Sequence, residues 1–574
     1  MFQQALALHE QGRFDEAENL YRQILQTAPD NPDVLNLLGL VAQAKGVHNE
    51  AVELFYQAIR KAPTHAPFYF NLALSLDMWG KPFEAIDAYQ KALSLKPDIK
   101  EAWNNIGNIY KSLKDNTNAA SAYQKAIELD ANYIEPQANL ANLNHNIEEL
   151  RNISRKYPED ALSFYFLANA FYLQQDYKQA EENITKAEQN AQTDVDIKNL
   201  YGLILLAQKR PQEAKSYFQK AFVLNPQNVS ALINLANQET ADLEYEQAEK
   251  HYKRALELSP QDLDAHINYA DFLYRQNRLP EALEEYRSAV IFNPAQPEIS
   301  NNLGIILKDL GEYEEALGLF FNAFNQAPQK EEISINIAET LTLLYTKDEE
   351  TTKKIVQNWY KLAPNNTFAI HTKAALTGEK DLENTQIYAE KLFDNFADNY
   401  ELVLQKLNYG VVRSLRDFTG NVQGRLVDLG CGTGLAGMVY KAPSTELVGV
   451  DISEKMLQRA QKKGIYKKLI KSDILTYLQN KPKADLFIAT DVFNYIGELS
   501  AIFKAVFPQK LAFSTENLQS EEGYALQPNG RFAHTPQYIK ECLEKAGYKD
   551  IKSQETTLRT ENNQPVKGTL WKTW

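Results

Sequence analysis

Along the first 364 residues, apolar positions recur at helical spacing in paired segments, and the pattern returns every 34 residues. Small residues mark the register: Ala17, Ala51, Ala85 and Ala119 form one series, and Ala180, Ala214, Ala248, Ala282 and Ala316 a second. Prolines keep the same period at Pro29, Pro63 and Pro97, then at Pro226, Pro260, Pro294 and Pro328. Each closes the second helix of a pair, because proline lacks an amide hydrogen and clashes with the preceding turn. Gly12, Gly46, Gly80 and Gly311 stand where the two helices of a pair turn. Alanine suits the positions where helices approach closely, and Tyr89, Tyr123, Tyr252 and Tyr286 fill the neighbouring gaps. From Ala119 to Ala180 the interval is 61 residues, one period plus 27. A unit around 133–158 is therefore shortened, with its second helix expected to be the truncated one. Segment 330–364 reads as a tenth, degenerate unit, and 365–383 as a capping helix and linker.

From Asn384 the pattern changes. Strands are expected at 425–429, 446–450, 468–471, 484–489 and 510–514, with helical stretches between them, which predicts a doubly wound parallel sheet. The tail, 551–559 and 566–571 around Asn562-Asn563, reads as a hairpin whose second strand lies antiparallel at the sheet. The 34-residue helix-turn-helix period resembles the tetratricopeptide repeat over about 1–364. The expected organisation is an α/α superhelix (1–364), a cap and linker (365–383) and an α/β Rossmann-like domain (384–574).

A chain of 574 residues exceeds what one hydrophobic core supports, in keeping with that division. No apolar run approaches the roughly 18 residues of a membrane span. The N-terminus carries no basic segment of a secretory signal, and the two cysteines, Cys431 and Cys542, suit a reducing compartment, so a cytoplasmic protein is expected. The eight histidines lack metal-site spacing, so no metal is expected. Residues 1–380 hold 36 Lys and Arg against 52 Asp and Glu, and 381–574 hold 25 against 23. An acidic front half repels phosphate backbones, which argues against a nucleic-acid partner there. Oligomeric state is not written in these features.

Asp428-Leu429-Gly430-Cys431-Gly432-Thr433-Gly434 follows an expected strand and precedes a helix, the context in which a glycine turn lets backbone approach a ligand. Its glycines fall at 430, 432 and 434, with Leu435 where a dinucleotide fingerprint has its last glycine. The spacing resembles the class I methyltransferase signature, which implies S-adenosylmethionine with its methionine and ribose portions against the loop from Asp428 through Gly430, Cys431, Gly432 and Gly434. Two further acids sit where that family needs them: Asp451, followed by Ile452, for the ribose hydroxyls, and Asp473 for the adenine amino group, with the Ile474 backbone near the ring. Each alone is more often a turn or cap residue, but the two in order at strand ends favour the site. Met456 packs either on the cofactor or within its helix. The stretch Tyr388 to Tyr400 resembles a lid helix over the cofactor, with Phe393, Phe396 and Tyr400 on one face and the Tyr400 hydroxyl best able to reach the methionine end. An aromatic core stripe is the plainer alternative.

The segments Ala489-Thr490-Asp491-Val492-Phe493-Asn494-Tyr495, Phe513-Ser514-Thr515-Glu516 and Gly530-Arg531-Phe532-Ala533-His534 are similar to bacterial predicted methyltransferases that carry tetratricopeptide repeats. That resemblance implies S-adenosylmethionine-dependent methyl transfer, with Asp491 after the fourth strand at the cofactor. A lysine acceptor, with an ordinary pKa of about 10.4, must first lose a proton. Tyr495, Glu516 and His534 are the candidate catalytic groups. Asp491-Val492-Phe493-Asn494 is not the Asn/Asp-Pro-Pro-Tyr type, which argues against adenine-N6 chemistry. Arg531, with His534, can bind an acidic or carbonyl group of the acceptor or form a buried structural pair, while Arg559 and Glu561 read as hairpin stabilisers. In the repeats, Asn71, Asn105, Asn139, Asn234, Asn268, Asn302 and Asn336 precede the small residue of each first helix by two. They resemble the asparagine ladder of O-linked N-acetylglucosamine transferases, which implies an extended peptide in the groove; inter-repeat packing is the alternative. The ladder lapses at Phe166 and Leu200. The preferred reading is methylation of a protein or peptide recruited by the groove; the other is a small-molecule methyltransferase whose repeats only bind a partner.

Overall fold

The computed structural model describes residues 1–379, 385–561 and 564–574. The chain forms two compact units, Met1–Pro260 and Gln261–Trp574. The second therefore includes the last repeats as well as the sheet. Residues 380–383 of the expected linker, Asn384 and the Asn562-Asn563 turn lie outside the described residues.

Met1–Pro260 is built of antiparallel helix pairs, with full-length first helices of 13 residues such as Pro32–Ala44 and second helices of 14 such as His48–Lys61. The pair closes because the first helix has a small residue where an aromatic of the second lands. A Cβ on Gly107 would stand 2.5 Å from the Tyr123 ring, and one on Gly39 2.7 Å from Phe55. The connecting turn needs a left-handed residue, which glycine supplies at Gly12, Gly46 and Gly80. The shortened unit consists of Ile134–Leu143 and Ile147–Lys156, ten residues each, so both helices are truncated and not the second alone. Trimming both keeps the two ends level. Shortening only one would have exposed the apolar end of its neighbour.

In Gln261–Trp574, further pairs run from Leu263–Arg275 to Glu349–Leu362 and end on Thr367–Thr377, capped by the Asn366 side chain at one end and left-handed Gly378 at the other. The seven-stranded sheet comprises β1 (Gly424–Leu429), β2 (Thr445–Asp451), β3 (Lys468–Lys471), β4 (Leu486–Ala489), β5 (Leu511–Glu516), β8 (Ile551–Glu561) and β9 (Gln564–Thr573). A separate hairpin pairs β6 (Tyr524–Leu526) with β7 (Phe532–His534). The sheet order is β3-β2-β1-β4-β5-β9-β8, parallel through β5, with β9 antiparallel to β5 and β8 antiparallel to β9. Strands β4 and β5 are buried along their whole length because helices cover both faces. The order reverses beside β1, so a crevice opens at the carboxyl ends of β1 and β4.

Candidate functional site

A cavity of about 300 Å³ occupies that crevice. Gly430, Gly432, Asp451, Ile452, Met456, Asp473, Ile474, Asp491 and Tyr400, all expected at a ligand, line it. The loop is tied to β2 by the Gly430 and Cys431 amides, which donate to the Val450 carbonyl at 2.7 and 3.0 Å. Gly430 has φ +71°, and a Cβ there would collide with Val492 at 2.5 Å, so both conformation and crowding require glycine. Asp451 accepts from the Gly432 amide at 2.7 Å and the Ser453 amide at 2.9 Å, which leaves lone pairs on each oxygen for a ligand. Burial pushes its carboxyl up to about 6. Asp473 caps its helix through the Thr476 amide at 2.9 Å while lining the cavity, so the cap and site readings coexist. Met456 likewise packs in its helix and reaches the wall.

Asp428, Cys431 and Gly434 stand behind the wall and do not line it. Asp428 is fully buried and accepts from the Tyr466 hydroxyl at 2.6 Å, and burial raises its carboxyl to about 7. The Cys431 sulfur packs where a Cβ on Gly449 would be, and Gly434 lies against the Tyr466 ring. Their part is to hold the loop.

The expected lid is not one helix. Thr385–Phe396 ends before a turn, and Tyr400 opens a second helix, Tyr400–Lys406, so Tyr400 does not continue the Phe393 and Phe396 face. The first helix is anchored on two sides. Asp394 accepts from the Ser453 hydroxyl at 2.5 Å, while Glu331 of the repeat helix Glu331–Tyr345 pairs with Lys391 at 2.7 Å and accepts from Asn395 at 2.9 Å.

A second cavity of about 210 Å³ adjoins the first and shares Phe393, Tyr400, Asp491 and Tyr495 with it. Its far wall comes from the repeats, through Ile335, Glu339 and Thr342 of Glu331–Tyr345 and Phe368, His371 and Thr372 of Thr367–Thr377. Thr342 donates to the Pro528 carbonyl at 3.2 Å, and His371 Nε2 donates to the Gly530 carbonyl at 2.8 Å, which holds the loop before β7. His371 stacks on Tyr388 with centroids 3.6 Å apart. None of these contributions is foreseeable from local sequence, because the repeats have no motif that marks a cavity wall.

Of the candidate catalytic groups, Tyr495 lies on both cavities, with its ring 4.9 Å from Phe393. Glu516 and His534 line neither. Glu516 is buried and paired with Arg559 at 2.8 Å; His534 Nε2 donates to the Gly497 carbonyl at 2.9 Å, and burial pulls its pKa down to about 4. Both hold structure here. Arg559, expected to stabilise the hairpin, does so through Glu561 at 2.6 Å but also reaches Asp491 at 3.4 Å, with no side-chain exposure. Asp491 is thereby fixed from three directions: Arg559, the Asn494 amide at 2.8 Å, and its own amide on the Ser514 hydroxyl at 2.9 Å. It holds a left-handed φ of +56°, a strain of the kind that marks functional sites. Arg531 lines the second cavity with its guanidinium 5.8 Å from the Tyr495 ring centre.

Six of the seven ladder asparagines use a side-chain N–H within the repeats. Asn71 and Asn336 donate to Asn36 and Asn301 at 2.9 Å, Asn105 and Asn302 to the Tyr89 and Tyr286 hydroxyls at 3.0 Å, Asn139 to Asn108 at 3.2 Å and Asn268 to the Asp264 carbonyl at 2.7 Å. Asn234 is half-buried.

Among the described residues no helix is long and apolar enough to cross a membrane, and no group of His, Cys, Asp and Glu could hold a metal ion. Family models match tetratricopeptide repeats at 2–66, 66–99, 100–133 and 167–229, a cilia and flagella-associated protein 70 middle TPR-like domain at 232–363, and a methyltransferase domain at 421–567. The biotin biosynthesis bifunctional protein BioHC of Saccharophagus degradans is 25% identical over 169 residues, 28% of this chain. The match spans only 27% of that protein's length. Among solved structures, a tetratricopeptide repeat protein from Parabacteroides merdae has 20% identity and a TM-score of 0.37, over 41% of this chain and 95% of that one. The APC/C hetero-tetramer Cut9-Hcn1 has 11% identity and a TM-score of 0.36, over 64% and 94%.

Proposed function

We propose that this chain, tetratricopeptide repeats followed by a methyltransferase domain, transfers a methyl group from S-adenosylmethionine to a protein or peptide recruited by its repeats. The observation that carries the reading is the pair of adjoining cavities. One is floored by the glycine loop and walled by Asp451, Asp473 and Ile474; the other opens onto it past Tyr400, Asp491 and Tyr495. The residues suit S-adenosylmethionine: Asp451 has lone pairs for the ribose hydroxyls, Asp473 and Ile474 fit the adenine, and Gly430 and Gly432 bring backbone to the cavity wall for the methionine portion. When bound, the cofactor supplies a methyl group already activated by a sulfonium. The protein's own task is to position the acceptor and exclude water, and the aromatic pair Phe393 and Tyr495 at the shared opening serves both ends.

The test is to incubate the full chain with methyl-labelled S-adenosylmethionine and proteins of a cell lysate. Label should enter the protein fraction, and Asp451→Ala, which removes the ribose acceptor, should abolish it. A second reading, a small acceptor, is favoured by one observation: asparagines that would hold an extended peptide already use a donor within the repeats. Label confined to the low-molecular-weight fraction would replace the first reading with this one.

A further inference from the structure

The methyl-transfer reading leaves the acceptor group open, and the chemistry of the second cavity narrows it. Ile335, Phe368, Leu392 and Leu404 make much of its wall apolar, whereas Asp491 and Tyr495 bring polar atoms to the end it shares with the first cavity. Arg531 is beside them, in long ion pairs that leave its hydrogen-bonding capacity unfilled. Its Nη1 is buried without a hydrogen-bond partner, held 3.7 Å from Glu561 and 4.0 Å from Asp491. Arg559 has already taken those two carboxylates and Glu516 as well. A guanidinium presents its donors as a planar fork matched to a carboxylate. The hydroxyls of Tyr388 and Tyr400, pushed by burial well above the ordinary phenol range, stay protonated and can donate in the same place.

The groups on the wall that could serve as a base are weak ones for an ammonium: Asp491 is a carboxylate held through one oxygen, and the unpartnered Nδ1 of His371 belongs to an imidazole that burial keeps below its ordinary pKa. Asp491 accepts from Arg559 and Asn494, and Glu339 pairs with Lys308 at 2.8 Å. His371 gives its Nε2 hydrogen to Gly530, and burial pulls its pKa down to about 4. An amine acceptor, protonated near neutral pH, has to surrender a proton first, whereas a carboxylate is already a nucleophile.

We propose that the second cavity receives a carboxylate at the end of an apolar stem, docked on Arg531, and that one carboxylate oxygen accepts the methyl group as an ester. An oxygen lone pair forms the new bond to the methyl carbon as the carbon–sulfur bond breaks, and that bond's electrons return to sulfur. The carboxylate and sulfonium charges disappear together and no proton is transferred. The proposal rests on the methyl-transfer reading. The carboxylate can belong to a small acid or to an acidic side chain or chain end of a protein.

Two measurements test it. In calorimetric titrations of the full chain without cofactor, hexanoate should bind, while hexanamide and hexylamine should bind at least tenfold more weakly. Arg531→Gln should weaken hexanoate at least tenfold, and Arg531→Lys should recover part of the loss. Equal binding of the three probes to the unaltered chain overturns the proposal without reference to any variant's folding. In the lysate assay the label should be alkali-labile and leave as volatile methanol. Its presence in the protein or the small-molecule fraction identifies the source. Alkali-stable label overturns the ester but not methyl transfer; no label in any fraction overturns the methyl-transfer reading and the ester with it.

Discussion

Arg559 carries a full charge with no exposed side-chain surface, a state tolerable only because Glu516, Asp491 and Glu561 meet it. Arg559→Met keeps the bulk but leaves the buried Glu516 without its cation and Asp491 and Glu561 with only the longer pairs to Arg531, and should lower stability by about 3–5 kcal/mol, read as a shift of the urea midpoint. A loss under about 1 kcal/mol would mean the cluster behaves as a surface pair. Buried titratable groups also make stability depend on pH, with opposite signs. His534 has a folded pKa of about 4 against an ordinary 6.5, so below pH 6.5 the unfolded chain takes up a proton that the folded chain refuses. Its contribution is lost as pH falls from 6.5 toward 4. Asp451, at about 6 against 3.8, binds its proton first in the folded chain and works the other way over the same range. His534→Gln should therefore raise the stability measured at pH 5 relative to that at pH 7; an unchanged ratio would show that His534 does not contribute. At this scale the sequence was informative where function depends on neighbours in the chain, as with Gly430, Gly432 and Asp451. It placed Asp491 at the cofactor but was silent about its left-handed φ, which goes with a hydroxyl on β5 and a guanidinium on β8.

The repeat turn shows how an element imposes a conformation on whatever residue occupies it. The left-handed position filled by Gly12, Gly46, Gly80 and Gly311 is filled elsewhere by Lys114, Gln175, Lys209, Leu243 and Asn277, with φ between 60° and 66°. A side chain there has a steric penalty that glycine avoids. Leu243 is also an exposed apolar residue, so Leu243→Gly should stabilise its repeat by about 1 kcal/mol, measured by hydrogen exchange of the flanking helices. Faster exchange would count against it. Gly107 has the opposite constraint: its φ is ordinary but the Tyr123 ring fills its space. Gly107→Ala should therefore cost about 1–3 kcal/mol, while Gly107→Ala with Tyr123→Leu should recover part of that. The 34-residue register made these elements legible, since alanine, proline and glycine each mark one point of the pair. The compressed unit was legible in length only. Seven missing residues do not say which helix lost them, and the three-dimensional need to keep the helix ends level divides them between both.

Within Gln261–Trp574, the last repeats form part of the site and not merely an appendage to it. The first cavity was legible because strand ends and a glycine loop announce it locally. The second is assembled from 335–342, 368–375, 388–407, 491–495 and 528–531, segments whose proximity only packing decides. The bond from His371 to the Gly530 carbonyl is the joint between them: it is buried, its imidazole is held neutral, and the residue after Gly530 is Arg531. If the repeats set the position of Arg531 through this joint, His371→Ala should loosen 527–531 without disturbing β1 or β2. Losing one buried hydrogen bond is worth about 1–2 kcal/mol, which corresponds to roughly tenfold faster amide exchange in that loop. Cofactor affinity, set at the glycine loop and Asp451, should hold within about twofold, while acceptor KM rises by a comparable factor of ten. A fall in cofactor affinity equal to the rise in acceptor KM would instead mean that the whole domain had loosened, and that His371 serves stability alone.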